Sequence, residues 1–463
     1  MKVMKFGGGC LTNAEGFDRV AKIIQSEKSP PFIVVSAISG VTDLLIQSIQ
    51  KGRENEKAIS GSIDSLRKIH RSLAEEMIKS AKLKQQFSHK LETTLGKIEK
   101  VITGIAYIGE TTPAARNHVL SYGERLAAAL LSTVLEDRGM RACALETDKI
   151  GLITDDNFEN ATADLDLFRK NFQKITRQLG KTNTLPVITG FFGISEGGKI
   201  TTFGRNGSDY SASVVANAVR ATVLEIWKDV DGFMSADPKI LKSAQRIDRL
   251  SYYEAAELSY FGAKILHPRA LEPLAGMNIS VRIKNLYDPG RPGTEIMPDG
   301  IERKDVIKSV TCNRQIAMLR IHGPGVGYKP GIIGRIGQRL ADRGINIFSV
   351  LTSQTCINLL VDKKDARQSY RELREMEGGV IGRIDLEEDI ALIAAVGEGI
   401  LNRRGLAARI FTSVSKAGVN VEMISTGASE VATYFVVRNA DTEKTIHALH
   451  HEFFSKTDQN RKG

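Results

Sequence analysis

The sequence predicts an α/β protein, in which one large and mostly parallel sheet lies between helices and is followed by two smaller units. Apolar, branched runs alternate with helical stretches in the N-terminal part of the chain. One such run, Ala221–Trp227, follows a helical stretch rich in small residues, Tyr210–Arg220, and is typical of a buried strand. Further on, Ile316–Val361 and Ile390–Val436 share one order of strand, Gly loop and helix, which predicts paired β-α-β-β-α-β units.

Length and composition indicate a multidomain globular protein. A chain of 463 residues with 42% hydrophobic and 25% charged residues is typical of two or three domains. It has no apolar run of the ~18–20 residues that cross a membrane. The N-terminus enters a Gly loop at once and lacks the apolar core of a signal peptide, so we expect a cytoplasmic protein.

The cysteines and the charges argue against several kinds of site. The four cysteines are scattered without a CxxC pair, which argues against a zinc site and a disulfide framework; they are Cys10, Cys143, Cys312 and Cys356. The net charge of +10 is spread along the chain, which favours solvated surfaces over a nucleic-acid interface. An anionic substrate is also compatible with this charge.

A Gly loop lies close to the N-terminus, between a predicted strand and a predicted helix. The strand is Met1–Phe6, the loop Gly7–Gly9 and the helix Ala14–Glu27. Consecutive glycines let the backbone approach phosphates, and Lys5 beside the loop can neutralise phosphate charge. The loop lacks the G-K-[ST] ending of a Walker A motif, and a purely structural turn is an equally good interpretation.

Two further segments have both a structural and a functional interpretation. The predicted strand Pro31–Ala37 ends among hydroxyl residues, which either cap the next helix or contact a ligand. Ser121–Glu124 fits the start of a helix with a capping box, which favours a structural role for its serine and glutamate. Lys51–Ile105 is predicted to be helical throughout.

The centre of the predicted site is the Gly-punctuated turn 204–208. Asp209 follows this turn and precedes a helix, and Asp229 follows the next strand. Because ligands of open α/β sheets bind outside the carboxyl ends of the strands, we expect Arg205, Asp209 and the Asp229 region to face one crevice. Leu250–Arg269 is predicted to be a helix that carries Lys264 near its end, and Asn285–Gly300 is the best linker candidate.

Six motifs occur together in one order, and in this order they resemble those of the aspartokinases, members of the amino-acid kinase superfamily. Any one of them is weak evidence, but the complete set is specific and spans nearly the whole chain. They are KFGG at 5–8, VVSAISGVT at 34–42, SYGE at 121–124, TGF at 189–191, TTFGRNGSD at 201–209 and GAKILHP at 262–268, and IWKDVDGFMSADP at 226–238 resembles the family's nucleotide segment.

The resemblance implies an amino-acid kinase fold, a three-layer αβα arrangement with a mostly parallel sheet, followed by two ferredoxin-like ACT units. The implied boundaries are residues 1–295 for the catalytic domain, 296–312 for a linker and joining strand, 313–384 for the first ACT unit and 385–463 for the second. In the family one ACT unit is inserted into the other, so Asp305–Cys312 is expected to supply a strand to the second unit.

The implied activity is phosphoryl transfer from ATP, with Mg²⁺, to the β-carboxylate of L-aspartate. The implied catalytic residues are Lys5, Asp209 and Lys264, and no metal-ligand set is expected in the protein itself. The implied substrate-binding residues are Ser36, Thr42, Glu124, Phe191 and Arg205. The implied ATP-binding residues are Lys5, Gly7, Gly8, Lys228, Asp229, Phe233, Asp237 and Lys264.

The ACT units imply feedback control by an amino acid at their interfaces, and a homodimer or homotetramer. Polar side chains in the turn and strand of the first copy favour that copy as the effector site. The candidate effector residues are Gly325, Val326, Asn346, Ile347, Gln354 and Asn358. An equally good interpretation is that these residues only pack the interface between the ACT units and form its turns.

The chain departs from the family motifs at four places near the predicted crevice. Gly9-Cys10 replaces the usual Thr-Ser, Asn206 a Gly and Lys228 a Thr, and Phe233-Met234 stands where a Tyr is usual. The charged residues of the implied mechanism are all present, which favours an active kinase. The alternatives are a non-catalytic or weakly active amino-acid sensor and a kinase for another amino-acid acceptor.

Overall fold

The structure is a computed structural model that describes residues 1–299 and 306–455. The described residues form two compact units. Residues 1–233, 246–256 and 265–299 belong to the first unit, and residues 234–245, 257–264 and 306–455 belong to the second. Two segments inside the predicted catalytic domain, 234–245 and 257–264, therefore group with the C-terminal part of the chain.

From the N-terminus to Met297 the chain alternates between strands and helices. In chain order the elements are β1 (Lys2–Phe6), α1 (Ala14–Gln25), β2 (Phe32–Val35), α2 (Val41–Glu54), α3 (Ala58–Met77), α4 (Ala81–Ile108), α5 (Pro113–Asp137), β3 (Ala142–Leu145), β4 (Ile153–Thr154), α6 (Leu165–Thr182), β5 (Leu185–Thr189), β6 (Phe192–Ser195), β7 (Ile200–Thr202), α7 (Gly207–Ala218), β8 (Val223–Lys228), β9 (Arg249–Ser251), α8 (Tyr252–Tyr260), β10 (Ser280–Asn285) and β11 (Thr294–Met297).

An eight-stranded sheet organises the first unit, with the strand order β3-β5-β2-β1-β8-β10-β11-β9. Its pairs are parallel except β10–β11, which is antiparallel. The central strands are buried along almost their whole length, as expected for a parallel sheet covered on both faces. A separate three-stranded sheet has the order β4-β6-β7. The predicted α/β fold with a mostly parallel sheet is confirmed.

The second unit contains two four-stranded antiparallel sheets. Its elements are β12 (Ser309–Asn313), β13 (Ile316–His322), α9 (Ile332–Ala341), β14 (Ile347–Thr352), β15 (Cys356–Asp362), α10 (Ala366–Arg374), β16 (Arg383–Glu387), β17 (Ile390–Val396), α11 (Leu406–Lys416), β18 (Met423–Ser425), β19 (Ala432–Arg438) and α12 (Thr442–Phe454). The strand orders are β14-β15-β13-β16 and β12-β17-β19-β18. Each sheet packs its own helices over a separate hydrophobic core.

The joining strand β12 precedes the first repeat but pairs antiparallel with β17, in the sheet of the second repeat. Its first residue is Ser309, inside the segment Asp305–Cys312 for which a strand was expected in that sheet. Asp305 itself and the linker end at Gly300 lie outside the described residues. Among residues 1–299 and 306–455, no helix is both long and apolar enough to cross a membrane.

The region predicted to be helical, 51–105, contains parts of three helices, α2, α3 and α4. Two other local predictions are wrong in their boundaries. The predicted helix Leu250–Arg269 stops at Tyr260, since Gly262 has a φ of +130° that no helix accommodates. The predicted linker 285–300 contains β11, which extends the large sheet by pairing with β10.

The tight β10–β11 connection depends on Gly293, and we expect Gly293→Ala to lower the free energy of unfolding by roughly 3 kcal/mol or more. Its φ is +73°, and a Cβ there would lie 1.9 Å from the carbonyl oxygen of Ile283. Gly96→Ala is the matched control, because its site in α4 has no atom within 4 Å of the added methyl group. Urea denaturation should show the control at or slightly above wild-type stability; equal stability for both variants would contradict the contact.

Candidate functional site

A cluster of two lysines and one aspartate lies at the carboxyl edge of strands β1 and β8; Lys5 and Asp209 are buried and Lys228 is half-buried. These strands are parallel neighbours, with Lys5 paired to Ile226, so Lys5 and Lys228 leave the sheet close together. Asp209 lies in the first turn of α7, and its Oδ1 is 2.6 Å from Lys5 Nζ and its Oδ2 3.2 Å from Lys228 Nζ. Lys5 is 4% exposed and Asp209 1% exposed, so water screens this cluster weakly.

The charges of this cluster do not cancel. Burial alone would raise the pKa of Asp209, but the ammonium groups of Lys5 and Lys228 outweigh it and hold the pKa below its ordinary value. The carboxylate is therefore ionised and balances one of the two ammonium charges. The remaining positive charge, largely removed from water, makes this edge of the sheet a favourable place for an anion.

The Gly loop closes tightly around the same edge. A Cβ on Gly7 would lie 3.3 Å from Lys5 Nζ, and one on Gly8 would lie 3.3 Å from the carbonyl oxygen of Ala37. The thiol of Cys10 is buried and donates a hydrogen bond to the carbonyl oxygen of Trp227 at 3.2 Å. Burial raises the pKa of this thiol to about 11, so it stays protonated and is a poor nucleophile.

Glu124 forms a second part of the site, joined to the Gly loop through Ala37. Its Oε1 accepts a hydrogen bond from the Ala37 amide at 3.0 Å, whereas its buried Oε2 has no hydrogen-bond partner among the described residues. Burial raises the pKa of Glu124 to about 8. A buried carboxyl oxygen without a partner is a costly arrangement unless a ligand supplies a donor.

The capping-box interpretation of Ser121 and Glu124 is wrong. Helix α5 begins at Pro113, where the Thr112 hydroxyl accepts from the Ala115 amide, so both residues lie in the interior of this helix. The Ser121 hydroxyl donates to the carbonyl of His118. The Glu124 carboxyl group therefore contacts the segment after β2 and does not cap the start of α5.

The TGF segment and the turn before α7 pack against each other. A Cβ on Gly190 would lie 2.7 Å from Ser208 Cβ, so only glycine permits this approach. Phe191 and Asn206 have positive φ values of 74° and 54°, which are uncommon for residues with side chains. Arg205 lies in this turn, next to Asn206, and is exposed.

The predicted hydroxyl ligands Ser36 and Thr42 lie at the end of β2 and the start of α2. The Ser36 amide donates to the carbonyl of Phe6 at 3.1 Å, which places Ser36 just past β2 and beside β1. Thr42 lies in the first turn of α2 and is half-buried. Both residues thus lie close in sequence to Ala37, the partner of Glu124.

The residues predicted to bind the nucleotide differ in how accessible they are. Asp229 is exposed, and its carboxylate lies 3.8 Å from a Cβ built on Gly9. Phe233 is fully buried, and its amide donates to Thr294 Oγ1 at 2.9 Å, so its ring belongs to the protein interior. The neighbouring Asp231 accepts from Asn285 at 2.6 Å and pairs with Arg291 at 3.0 Å.

Two predicted site residues, Asp237 and Lys264, belong to the second compact unit. Both are exposed. Within residues 1–299 and 306–455, the ion-pair partners of Asp209 are Lys5 and Lys228, and Lys264 makes no ion pair. The resemblance grouped Asp209 with Lys5 and Lys264 as catalytic residues; the pairing of Asp209 with Lys228 was not foreseen.

His267 is a residue near the site that the sequence interpretation missed. Burial lowers its pKa, and the nearby charges of Asp209 and Arg205 act on it in opposite directions. The available signal was its place in the motif GAKILHP, three residues after Lys264.

The candidate effector residues lie around one end of the first repeat's sheet. The Gly327 amide approaches the carbonyl of Gln354 at 3.4 Å, which brings the loop after β13 to the turn before β15. Asn346 and Gln354 are exposed, and Asn358 accepts from the Cys356 thiol at 3.3 Å. The Val326 side chain is 1% exposed and packs in the core of this repeat, which leaves only its backbone for a ligand.

Comparisons with known proteins match this architecture over most of the chain. The sequence model of the amino acid kinase family matches residues 1–285, and two ACT domain models match residues 311–375 and 393–453. The chain is 32% identical to "Aspartokinase 2, chloroplastic" of Arabidopsis thaliana, over 98% of this chain and 84% of that protein.

Solved structures agree with the sequence relatives. E. coli aspartokinase III in complex with aspartate and ADP is similar with a TM-score of 0.84 and 28% identity, over 98% of this chain and 100% of that chain. The same enzyme in complex with lysine and aspartate is similar with a TM-score of 0.82 and 27% identity, over 98% of this chain and 99% of that chain. The chain therefore belongs to the amino-acid kinase family and, within it, to the aspartokinases, the aspartate kinases that carry ACT domains.

Proposed function

We propose that the chain transfers the γ-phosphoryl group of ATP to the β-carboxylate of L-aspartate, giving 4-phospho-L-aspartate. This reaction would be the first step of lysine, threonine and methionine biosynthesis. The observation that carries the proposal is the Lys5–Asp209–Lys228 cluster beside the Gly loop, with its buried carboxylate and its uncancelled positive charge. Aspartokinase III of E. coli, bound to aspartate and ADP, supports the same pair of substrates.

The proposed reaction requires neutralisation of the phosphoryl charge and positioning of the two substrates, and it needs no general base. A carboxylate acceptor is already ionised at neutral pH and can attack directly. Phosphoryl transfer passes through a loose, in-line transition state whose charge lies on the phosphoryl oxygens. Lys5, Lys264 and the backbone amides of Gly7 and Gly8 would neutralise that charge, and Asp209 would hold the lysine ammonium groups in place.

The amino-acid substrate would be bound through its two other charged groups. Glu124 would receive the α-ammonium group on Oε2, the oxygen that has no partner among the described residues. Arg205 would pair with the α-carboxylate through its two-pronged guanidinium group, and it is exposed and available for this. Ser36, Thr42 and Phe191 would line the remaining walls.

ATP would lie along the carboxyl edge of the sheet. Lys228 would add positive charge beside the phosphates, and Asp229 and Asp237 would face ribose or magnesium. Phe233, being buried, would shape this region through its backbone. Among residues 1–299 and 306–455 no cluster of three or more metal-ligating side chains occurs, and the exposed Asp229 suits a Mg²⁺ ion held mainly by ATP and water. Such an ion would neutralise phosphate charge during transfer.

Regulation would come from an amino acid bound at the first ACT repeat. The candidate residues there are Gly325, Val326, Asn346, Ile347, Gln354 and Asn358. E. coli aspartokinase III has been solved with lysine, which supports an amino-acid effector. Assembly into a homodimer or homotetramer would complete such sites where ACT units meet.

A hydroxylamine-trapping assay tests the proposed reaction directly, because hydroxylamine converts the acyl phosphate into a hydroxamate. We expect ATP-dependent product with L-aspartate and none with L-glutamate. Adding lysine, threonine or methionine should identify the effector by inhibition. Folded protein that binds ATP but forms no hydroxamate would instead favour an amino-acid sensor, and turnover with another amino acid would favour a kinase for that acceptor.

Asp209→Asn should lower kcat by roughly 100- to 1000-fold while the protein stays folded, because the neutral amide no longer holds Lys5 and Lys228. Steady-state kinetics with circular dichroism as a folding check measures both effects. Asp166→Asn in α6 is the control, since this residue is exposed and forms a surface ion pair with its helix neighbour Arg169. If Asp209→Asn kept the wild-type kcat, the role assigned to this carboxylate would be wrong.

The affinity for L-aspartate should rise with pH up to about 8 and then level off. With its pKa raised to about 8, Glu124 is protonated in the free protein below that pH, whereas the substrate ammonium group binds the ionised form. Each pH unit below 8 should therefore weaken binding by about 10-fold. Calorimetric titrations from pH 6 to 9 measure this. In Glu124→Gln the affinity should be weaker and independent of pH; a slope that persists in this variant would assign it to another group.

A further inference from the structure

Helix α5 carries Glu124, the carboxyl group that the proposed function assigns to the substrate ammonium group. Successive side chains leave an α-helix about 100° apart, so the rotation of α5 about its axis decides where Glu124 points. One side of the helix packs directly on the end of β2, because a Cβ on Gly123 would lie only 2.8 Å from Ala37 Cβ. A contact in a second direction is needed to fix the rotation, and Arg125 supplies it.

Arg125 is held by two carboxylates in the turn after β3. Its guanidinium group donates to Glu146, and it also donates to Asp148 Oδ2 at 2.9 Å. Its Nε donates to Ser121 Oγ at 3.2 Å, one helical turn earlier in α5. The Arg125 side chain is 9% exposed, so its planar fork is fixed in direction with little competition from water.

The carboxylate of Glu146 is ionised in this cluster. Burial alone would raise its pKa, but the hydrogen bond from Lys149 and the charge of Arg125 outweigh burial and hold the pKa below its ordinary value. Its bond to Arg125 is therefore a charge-assisted hydrogen bond, which is stronger and more directional than a bond between neutral groups.

The same turn is attached to the TGF segment. The Thr147 amide donates to Thr189 Oγ1 at 3.0 Å, the two hydroxyl oxygens lie 3.0 Å apart, and both residues are fully buried. Arg125 Cζ also lies 4.7 Å from the centroid of the Phe192 ring, which is a cation–π contact. Arg125 thus ties α5 to the segment that contains Phe191, another residue proposed to line the amino-acid pocket.

We propose that Arg125 is a positioning residue for the amino-acid substrate: it fixes the rotation of α5 and thereby holds Glu124 where it receives the α-ammonium group. Arg125 is committed to Glu146, Asp148 and Ser121, so it acts through Glu124 and not on the substrate itself. All of these residues lie in the first compact unit. The inference rests on the proposed function in taking Glu124 as the group that binds the ammonium.

The test is a calorimetric titration of the full chain with L-aspartate. Arg125→Met removes the fork but keeps a side chain of similar length, and we expect it to raise the Kd for L-aspartate by about 10- to 30-fold. The double variant Arg125→Met/Glu124→Gln should bind no more than about twofold more weakly than Glu124→Gln alone. The reason is that the group which Arg125 positions is already lost in Glu124→Gln.

Two further variants separate positioning from the loss of an ion pair or a charge. Arg138→Met, at the end of the same helix, breaks the pair of Arg138 with Asp18 at 2.8 Å, roughly 20 Å along α5 from Arg125. It should bind L-aspartate like wild type. Arg125→Lys keeps the positive charge without the fork, so its affinity should stay at least about fivefold weaker than that of wild type.

Steady-state kinetics gives a readout that general damage would not reproduce. In Arg125→Met the KM for aspartate should rise with the Kd, whereas the KM for ATP should change by less than about twofold. If Arg125→Met does not fold, Asp148→Ala decides the question, because it releases one prong of the fork and leaves no unpaired carboxylate behind. We expect Asp148→Ala to weaken L-aspartate binding by about 3- to 5-fold.

Wild-type L-aspartate affinity in folded Arg125→Met, or in Asp148→Ala where the former does not fold, would overturn the proposal. Additive losses in the double variant, wild-type affinity in Arg125→Lys, or equal rises in the KM for ATP and aspartate would also overturn it. Wild-type protein that binds L-aspartate but forms no hydroxamate would refute the kinase proposal and leave this comparison intact. Wild-type protein that does not bind L-aspartate would refute both.

Discussion

The buried carboxylate of Asp209 is the constraint on which the site depends. An ionised carboxylate at this depth is tolerated only because Lys5 and Lys228 lie within 2.6 and 3.2 Å. This in turn requires β1 and β8 to be parallel neighbours and α7 to begin at their carboxyl edge. The charge of the site therefore depends on both the strand order of the sheet and the position at which α7 begins.

Close backbone packing brings the other groups to this centre. Gly8 packs on Ala37, whose amide binds Glu124, so the Gly loop connects the lysine cluster to the carboxyl group proposed for the substrate amine. On the other side, Gly190 packs on Ser208, one residue before Asp209. The positive φ of Phe191 and Asn206 places backbone strain in these same segments, as is common where a site must be rigid before its ligand binds.

The sequence predicted the sheet well because its strands are short apolar runs that end in glycine or hydroxyl residues. It failed where a local pattern has two solutions. Ser121 and Glu124 fit a capping box, but Thr112-Pro113 is the actual helix start. The Pro- and Gly-rich stretch 285–300 resembles a linker, yet its Thr294–Met297 completes a hairpin. The pairing of Lys228 with Asp209 depends on side-chain reach across the fold, which no local pattern encodes.

Lys264 ends a segment of the second unit that is tightly packed. The preceding Gly262 packs against the carbonyl of Cys312 so closely that a Cβ would lie 2.0 Å from it. Two residues earlier, the Tyr260 hydroxyl donates to the carbonyl of Phe348 at 3.1 Å. Phe348 adjoins Ile347 in sequence, one of the candidate effector residues. The segment that ends at Lys264 is thus held within the second unit by close packing at Gly262 and by one hydrogen bond to β14.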